Sequence, residues 1–138
     1  MCEQKHPEPT VGAVILNERG EVLIVKSPKW VTYTIPGGHI EVNETMEEAL
    51  LREVKEEVGL DVEIIRRIGV FDAIKPPEFK HKKHFIFIDF LCRAKNTDVK
   101  IDGNEITHFM WIKPEDAIKM VDSFTRRSLE LVKDRGEG

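Results

Sequence analysis

The sequence contains no apolar run approaching the roughly 20 residues that a membrane-spanning helix needs, so no span and no membrane partner is expected. Cysteine is scarce: Cys2 and Cys92 are the only two, one near a terminus and one inside a strand-like run. That pair makes neither a disulfide framework nor a zinc site and suits a reducing compartment. The opening residues, MCEQKHPEPT, carry no charged leader followed by an apolar segment, so a cytoplasmic protein is expected. A basic excess is missing too. The formal net charge of -4 argues against nucleic acid as a partner, because a phosphate backbone rewards a basic face. A small anionic ligand held through a cation remains open. There is no internal repeat, low-complexity tract or linker. What is present, 138 residues of which 41% are hydrophobic and 33% charged, fits a single domain over 1–138, with 1–8 and 135–138 as loose termini.

TVGAVIL (10–16) and EVLIVK (21–26), apolar and β-branched, flank the turn residues of NERG and read as a hairpin. YTI (33–35) is a short strand stopped by Pro36, Gly37 and Gly38, and a loop follows. From Thr45 to Val58, apolar residues recur at helical spacing, with Gly59 at the stop and Asn43 or Thr45 as the cap. Residues 61–74 read as a strand, 75–83 as a break, 84–94 as a central strand apolar on both faces, and 106–112 as the last strand. Pro114 opens a helix over KPEDAIKMV, and SFTRRSLELVK forms another. The order β-β-β-loop-α-β-β-β-α-α predicts an α+β (mixed α/β) domain, helices packed on a mixed sheet.

The helix concentrates acid. At about 100° per residue, Met46, Leu50, Val54 and Val58 form a core-facing row, while Glu48, Arg52 and Lys55 fall opposite, toward solvent. Glu53, Glu56 and Glu57 group on one side, beside the core. Like charges at this spacing cost stability, and partial burial raises a carboxyl pKa or demands a partner. Arg52, projecting partly away, cannot neutralise three carboxylates alone. Mg²⁺ or Mn²⁺, which prefer oxygen ligands, would. The plainer alternative is a charged surface helix laced with pairs such as Glu48 with Arg52. Gly37 and Gly38 allow positive φ and close approach to a ligand, where a carbonyl could complete a metal site; a simple turn is the alternative.

The spacing Gly38, five residues, Glu44, seven residues, Arg52-Glu53-Val54, one residue, Glu56-Glu57, one residue, Gly59-Leu60 matches every fixed position of the box of the Nudix hydrolases, which the chain resembles over most of its length. The resemblance implies a mixed β-sheet sandwiched between α-helices, and hydrolysis of a nucleoside diphosphate linked to another moiety. It implies Glu56 and Glu57 as core metal ligands, Glu53 as a further ligand or water-activating carboxylate, and the Gly38 carbonyl as a backbone ligand. Arg52 would orient the glutamates and Glu44 would brace the loop against the helix. Glu105, with Asp102 behind it, is the acidic residue that would join from a later loop. Two or three ions are expected with substrate bound; homodimers are common in that family, which is the sole basis for a homodimer as a possible state here. Tyr33 stands where many relatives carry a stacking Trp; Trp30 lies three residues earlier.

Charge neutralisation and an aligned water are what a pyrophosphate bond needs, and no Ser or Cys nucleophile arrangement competes. Glu53 or Glu105 would take the proton. For the substrate, Pro76 resembles the downstream proline of many ADP-ribose pyrophosphatases. Around it Lys75, Lys80, His81, Lys82, Lys83 and His84 could receive a distal phosphate, or form a solvated loop. Phe71 and Phe79 could stack on a base or belong to the core; Phe85, Phe87, Phe90 and Trp111 are assigned to packing. Asp89 interrupts the apolar face of Phe85, Phe87 and Leu91, either as a buried, paired carboxylate or as a lining residue. The first expectation is an ADP-ribose-type pyrophosphatase releasing AMP and ribose 5-phosphate. A nucleoside triphosphate pyrophosphohydrolase is the second, and a non-catalytic nucleotide sensor the third.

Overall fold

The computed structural model describes residues 4–134; Cys2 and the outermost residues expected as loose termini lie outside them. Six strands, β1 (Glu8–Leu16), β2 (Val22–Lys26), β3 (Gly37–His39), β4 (Val62–Ile74), β5 (His84–Ala94) and β6 (His108–Ile112), form one sheet. The order is β4-β5-β1-β2-β6, with β3 set against β1. Only β1 and β5 run parallel. Interleaved are helices α1 (Met46–Val58), α2 (Pro114–Ala117) and α3 (Ser123–Asp134). From residue 4 the start of the chain is tied down: Gln4 Nε2 donates to the His84 carbonyl at 2.7 Å, and the His84 amide donates back to Gln4 Oε1 at 2.8 Å.

Alternation along the strands puts one apolar set on each face. Val11, Ala13, Ile15, Leu23, Val25, Ile88 and Phe90 meet Ala49, Leu50, Val54 and Val58 of α1. Val14, Val22, Ile24 and Leu91 meet Leu129 and Val132 of α3 on the other side. The sheet is thus covered twice, and β5, paired on both edges, is apolar both ways as its sequence demands. Cys92 lies buried in the first core, where desolvation pushes its thiol up to about 12, out of reach of redox chemistry.

Two expectations change. The short strand is not 33–35 but Gly37–His39: Tyr33 and Thr34 make only isolated bridges, while Gly37 and Gly38, read as breakers, pair with Gly12 and Val11. Neither glycine has positive φ. They are there because a Cβ on Gly37 would lie 2.0 Å from the Val11 carbonyl oxygen, so only a bare backbone sits this close to β1. The helix begun by Pro114 stops at Ala117, since the Asp122 amide is drawn to the Tyr33 carbonyl at 3.1 Å and Val121 bridges Tyr33.

α1 is fixed at both ends by its own sequence. Thr45 Oγ1 accepts from the Glu48 amide at 3.1 Å while Glu48 Oε1 accepts from the Thr45 amide at 2.8 Å, a reciprocal capping box. Gly59 closes the helix in the left-handed conformation, φ 69°, its amide donating to the Lys55 carbonyl. Of the two cap candidates Thr45 is used; Asn43 takes φ 70° in the preceding turn. Replacing Thr45 by Ala leaves the Glu48 amide without its partner, and urea denaturation should show a loss of about 1 kcal/mol with an unchanged m-value.

Candidate active site

β1 and β2 pair at Leu16↔Val22, next to their turn, and then part. The chain from Thr34 to His39 fills the gap: Val25 and Thr34 exchange amide–carbonyl bonds of 2.8 Å, Ala13 donates to the Pro36 carbonyl at 2.8 Å, and β3 pairs with β1. Along this seam runs a cleft of about 590 Å³. Carboxylates of α1 line one part of it and aromatic rings another.

Glu53, Glu56 and Glu57 all line the cleft, together with Gly37, Gly38 and Glu105. Glu57 Oε1 accepts from the Gly37 amide at 2.9 Å. A Cβ on Gly38 would fall 2.1 Å from Glu53 Oε2, so the missing side chain is what lets the loop lie against that carboxylate. Arg52 is not on the solvent face. Its Nε and Nη2 hold both oxygens of Glu44 at 2.6 and 2.9 Å, Nη1 donates to Glu53 at 2.6 Å and Glu56 at 3.3 Å, and Nη2 reaches the His39 carbonyl at 2.9 Å. The α1 backbone sends it outward, but a long side chain folds back where several acceptors wait. Glu44, also accepting from the Glu41 amide at 3.0 Å, is held at about 2 by Arg52 first and that amide second. Through these bonds it links the loop to α1.

Electrostatically the glutamates differ. Burial raises Glu53, with Arg52 opposing. Burial pushes Glu57 up to about 8, its Gly37 bond and the distant Lys29 opposing while Glu53 and Glu105 add to the rise. A buried carboxyl with one amide as its partner is short of positive charge. Among the described residues no three acidic, histidine or cysteine side chains converge closely enough to hold an ion as they stand, because Arg52 draws Glu53 and Glu56 to itself. The donor set nonetheless fits a hard dication: carboxylate and carbonyl oxygens, one acid undercompensated, and a backbone pressed against Glu53.

The later loop brings in Glu105, exposed at the cleft, on a turn built by Asp102. Asp102 Oδ1 accepts from the amides of Asn104, Glu105 and Ile106 at 2.9, 3.0 and 3.3 Å, and these bonds lower its pKa. Asp102 therefore shapes the loop and does not line the cleft.

The remaining expectations for substrate contact part from the cleft. Tyr33 packs with the α3-side core. Phe71 is buried beneath the Arg127 guanidinium, 5.4 Å from its ring centroid. Pro76 is buried in its loop, and Lys83 pairs with Glu8 at 2.7 Å. None of Lys75, Lys80, Lys82 and Lys83 lines the cleft. The loop contributes Phe79 instead, fastened by Val31 and Lys80 amides to the Glu78 and Lys29 carbonyls, and by Glu78 to Ser123. Phe79 stands T-shaped to Trp30 at 5.0 Å and to Phe85 at 5.1 Å; Phe85 stacks on Phe87 at 5.2 Å, and Phe87 meets Phe124 at 5.4 Å. Phe85 and Phe87, assigned to packing, thus also wall the cleft. Sequence reasoning missed Trp30, Phe124 and Lys29. Trp30, offset three residues from the expected stacking position, was the one visible signal.

Asp89 is both a buried and a lining residue. It is 5% exposed, its Oδ2 accepts from Ser128 Oγ at 2.6 Å, and burial drives its carboxyl to about 7, Ser128 opposing and Asp122 adding. From pH 4 to 7 the folded chain therefore keeps a proton that the unfolded chain, titrating near its ordinary 3.8, has released. Stability should be greatest at the acid end of that window and fall as pH rises through it. Asp89→Asn should flatten this slope and raise the neutral-pH unfolding free energy by a few kcal/mol, on the order of the shift itself, in urea titrations at several pH values.

Comparison with known proteins agrees with this geometry. The NUDIX domain matches residues 6–132. A protein named RNA pyrophosphohydrolase from Marinomonas sp. (strain MWYL1) is 46% identical over 113 residues, covering 73% of this chain and 70% of that protein. The nucleoside triphosphatase NudI of Escherichia coli O81 (strain ED1a) is 33% identical over 107 residues, covering 72% and 74%. The chain spans 63% of the length of a Bacillus subtilis relative that is 30% identical over 101 residues. Among solved structures, a MutT NUDIX hydrolase from Burkholderia pseudomallei superposes with a TM-score of 0.80 at 25% identity, covering 93% of this chain and 99% of that one. A match that takes in nearly every strand and helix described above, box included, means that the chain belongs to the NUDIX family.

Proposed function

We propose that this NUDIX chain is a metal-dependent pyrophosphohydrolase acting on a nucleoside triphosphate, releasing pyrophosphate and a nucleoside monophosphate. The observation that carries the reading is the single cleft that joins an aromatic chamber to the glutamate face of α1. A planar base fits among Trp30, Phe87 and Phe124, and the phosphates then extend toward Glu53, Glu56 and Glu57. The features that favoured an ADP-ribose-type substrate, Pro76 and the lysines of its loop, lie off this path. Lys29 is the cation that lines the cleft without a carboxylate partner among the described residues, placed to meet a phosphate. The name of the Escherichia coli relative points the same way.

Glu53, Glu56, Glu57 and the Gly38 carbonyl are the groups that would hold Mg²⁺ or Mn²⁺. Such an ion, when bound, neutralises phosphate charge and lowers the pKa of water. The chain's own part is positional. Arg52 fixes Glu53 and Glu56 through one nitrogen while Glu44 fixes Arg52, so the carboxylates cannot drift with solvent. Glu53 and Glu105 are the carboxylates available to accept the proton of the attacking water.

A nucleotide panel with Mg²⁺, its products resolved by chromatography, tests the substrate. Pyrophosphate and monophosphate should appear together from a triphosphate; turnover of ADP-ribose alone, giving two phosphomonoesters, would remove the triphosphate reading. Glu57→Gln should lower kcat on the order of 100-fold or more with the fold intact by circular dichroism. Unchanged turnover in that variant would dismiss the glutamate face as the reactive centre.

A further inference from the structure

One acceptor in the chamber has no function yet. Asp89 stands in the middle of β5, in register with Gly12 of β1 on one side and Gly69 of β4 on the other. Its Oδ2 is accounted for by Ser128, which ties α3 to the sheet. Oδ1 has no hydrogen-bond partner among the described residues. The polar side-chain atoms sealed from solvent without a partner among the described residues are Thr32 Oγ1 and His84 Nε2, so Oδ1 opens to the cleft that Asp89 lines. Gly12 keeps that opening: a Cβ there would lie 2.6 Å from Oδ1. A carboxyl needed only to anchor α3 would not require a bare backbone beside its second oxygen.

The other acid of the chamber is already engaged. Asp122 Oδ1 accepts from Thr125 Oγ1 at 2.6 Å and Oδ2 from the Thr125 amide at 3.1 Å, which caps the start of α3. Phe87, two residues before Asp89 and on the same face of β5, meets Phe124, one turn before Ser128 on α3. Phe87, Phe124 and Asp89 all line the cleft, so a flat ring lying against the two aromatics shares it with Oδ1.

We propose that Asp89 is the specificity-determining residue of the base site, the free Oδ1 of its ionised carboxylate accepting a hydrogen bond from an exocyclic amino group on a purine. The inference rests on the nucleotide reading of the cleft but not on turnover. A buried acceptor left unpaired penalises any ligand that cannot supply the donor, so sites of this kind discriminate by absence of a group more than by its presence. Asparagine at 89 would give its amide oxygen to Ser128 and turn its NH₂ toward the ligand, changing an acceptor into a donor.

Calorimetric titration of the full chain at about pH 8.5, where Asp89 is ionised, with AMP, GMP and purine riboside 5′-monophosphate, the last lacking any amino group, separates the possibilities. The wild-type chain should bind the better amino-purine about 10-fold more tightly than purine riboside monophosphate. Asp89→Asn should bring that ratio near unity, and Ser128→Ala, which removes only the anchor, should keep it. Equal binding of all three by the wild type, no binding of any, or an undiminished ratio in Asp89→Asn would overturn the assignment, as would loss of the ratio in Ser128→Ala. Failure to hydrolyse triphosphates with the ratio intact would count against the catalytic reading alone.

Discussion

The contact on which the rest depends is a side chain that is missing twice. At Gly37 the backbone lies against the Val11 carbonyl, and at Gly38 it lies against Glu53. These two approaches bind β1, β3 and α1 into one block. The Gly37 amide is thereby aimed at Glu57, and the His39 carbonyl two residues on is aimed at Arg52. Any Cβ at either position would have to move a strand backbone or a carboxylate, so the glycines set the site by packing rather than by conformational freedom. Arg52 then works inside a frame already fixed, spanning Glu44 in the loop and Glu53 and Glu56 on the helix. Its value lies in placing three carboxylates, since exposed ion pairs by themselves add little stability.

The same block explains why one cleft touches both faces of the sheet. β1 and β2 cannot stay paired beyond their turn, because the segment from Thr34 to His39 takes up the hydrogen bonds each would have offered the other. A sheet opened in this way loses little hydrogen bonding, since the inserted strand satisfies both edges. What it gains is a passage from the carboxylates of α1 to the aromatic rings along β5 and α3. Polar chemistry and base binding can then occupy opposite layers of a small domain without sharing a dielectric environment.

Local signals made most of the fold and the α1 face legible. The strand pairs, the capped helix and the glutamate positions all depend on residues near one another in sequence, so period and spacing report them. The errors have a common cause. Gly37 and Gly38 read as breakers because their partners, Val11 and Glu53, are distant in the chain. Arg52 read as solvated because backbone direction was taken for side-chain direction. Phe71, Pro76 and Lys83 were chosen by residue type near a motif, whereas the cleft takes Trp30, Phe79, Phe87 and Phe124 from four separate segments. No window of sequence contains that set. Asp89 was visible as an anomaly in an apolar strand, but whether it faced core or cleft depended on Gly12 and Ser128, which only the fold brings to it.

Burial raises Glu53, Glu57, Asp89 and Asp122, and of these Glu57 and Asp89 differ in what they lack. Glu57, near 8, has an amide partner and a face shared with Glu53, Glu56 and Glu105; what would restore its charge is a cation. Asp89, near 7, shares its part of the cleft with aromatics and has one hydroxyl donor, with Asp122 adding to its rise; what would satisfy it is a second donor. A dication near Asp89 would find Asp122 as the next carboxylate, with its oxygens already engaged by Thr125, and an amino group near Glu57 would bring too little charge to balance its neighbours. The two ends of the cleft therefore select opposite chemistries from their own surroundings. A ligand carrying polyanion at one end and a neutral N–H edge at the other answers both deficits at once, whereas either half alone leaves one buried group unmatched.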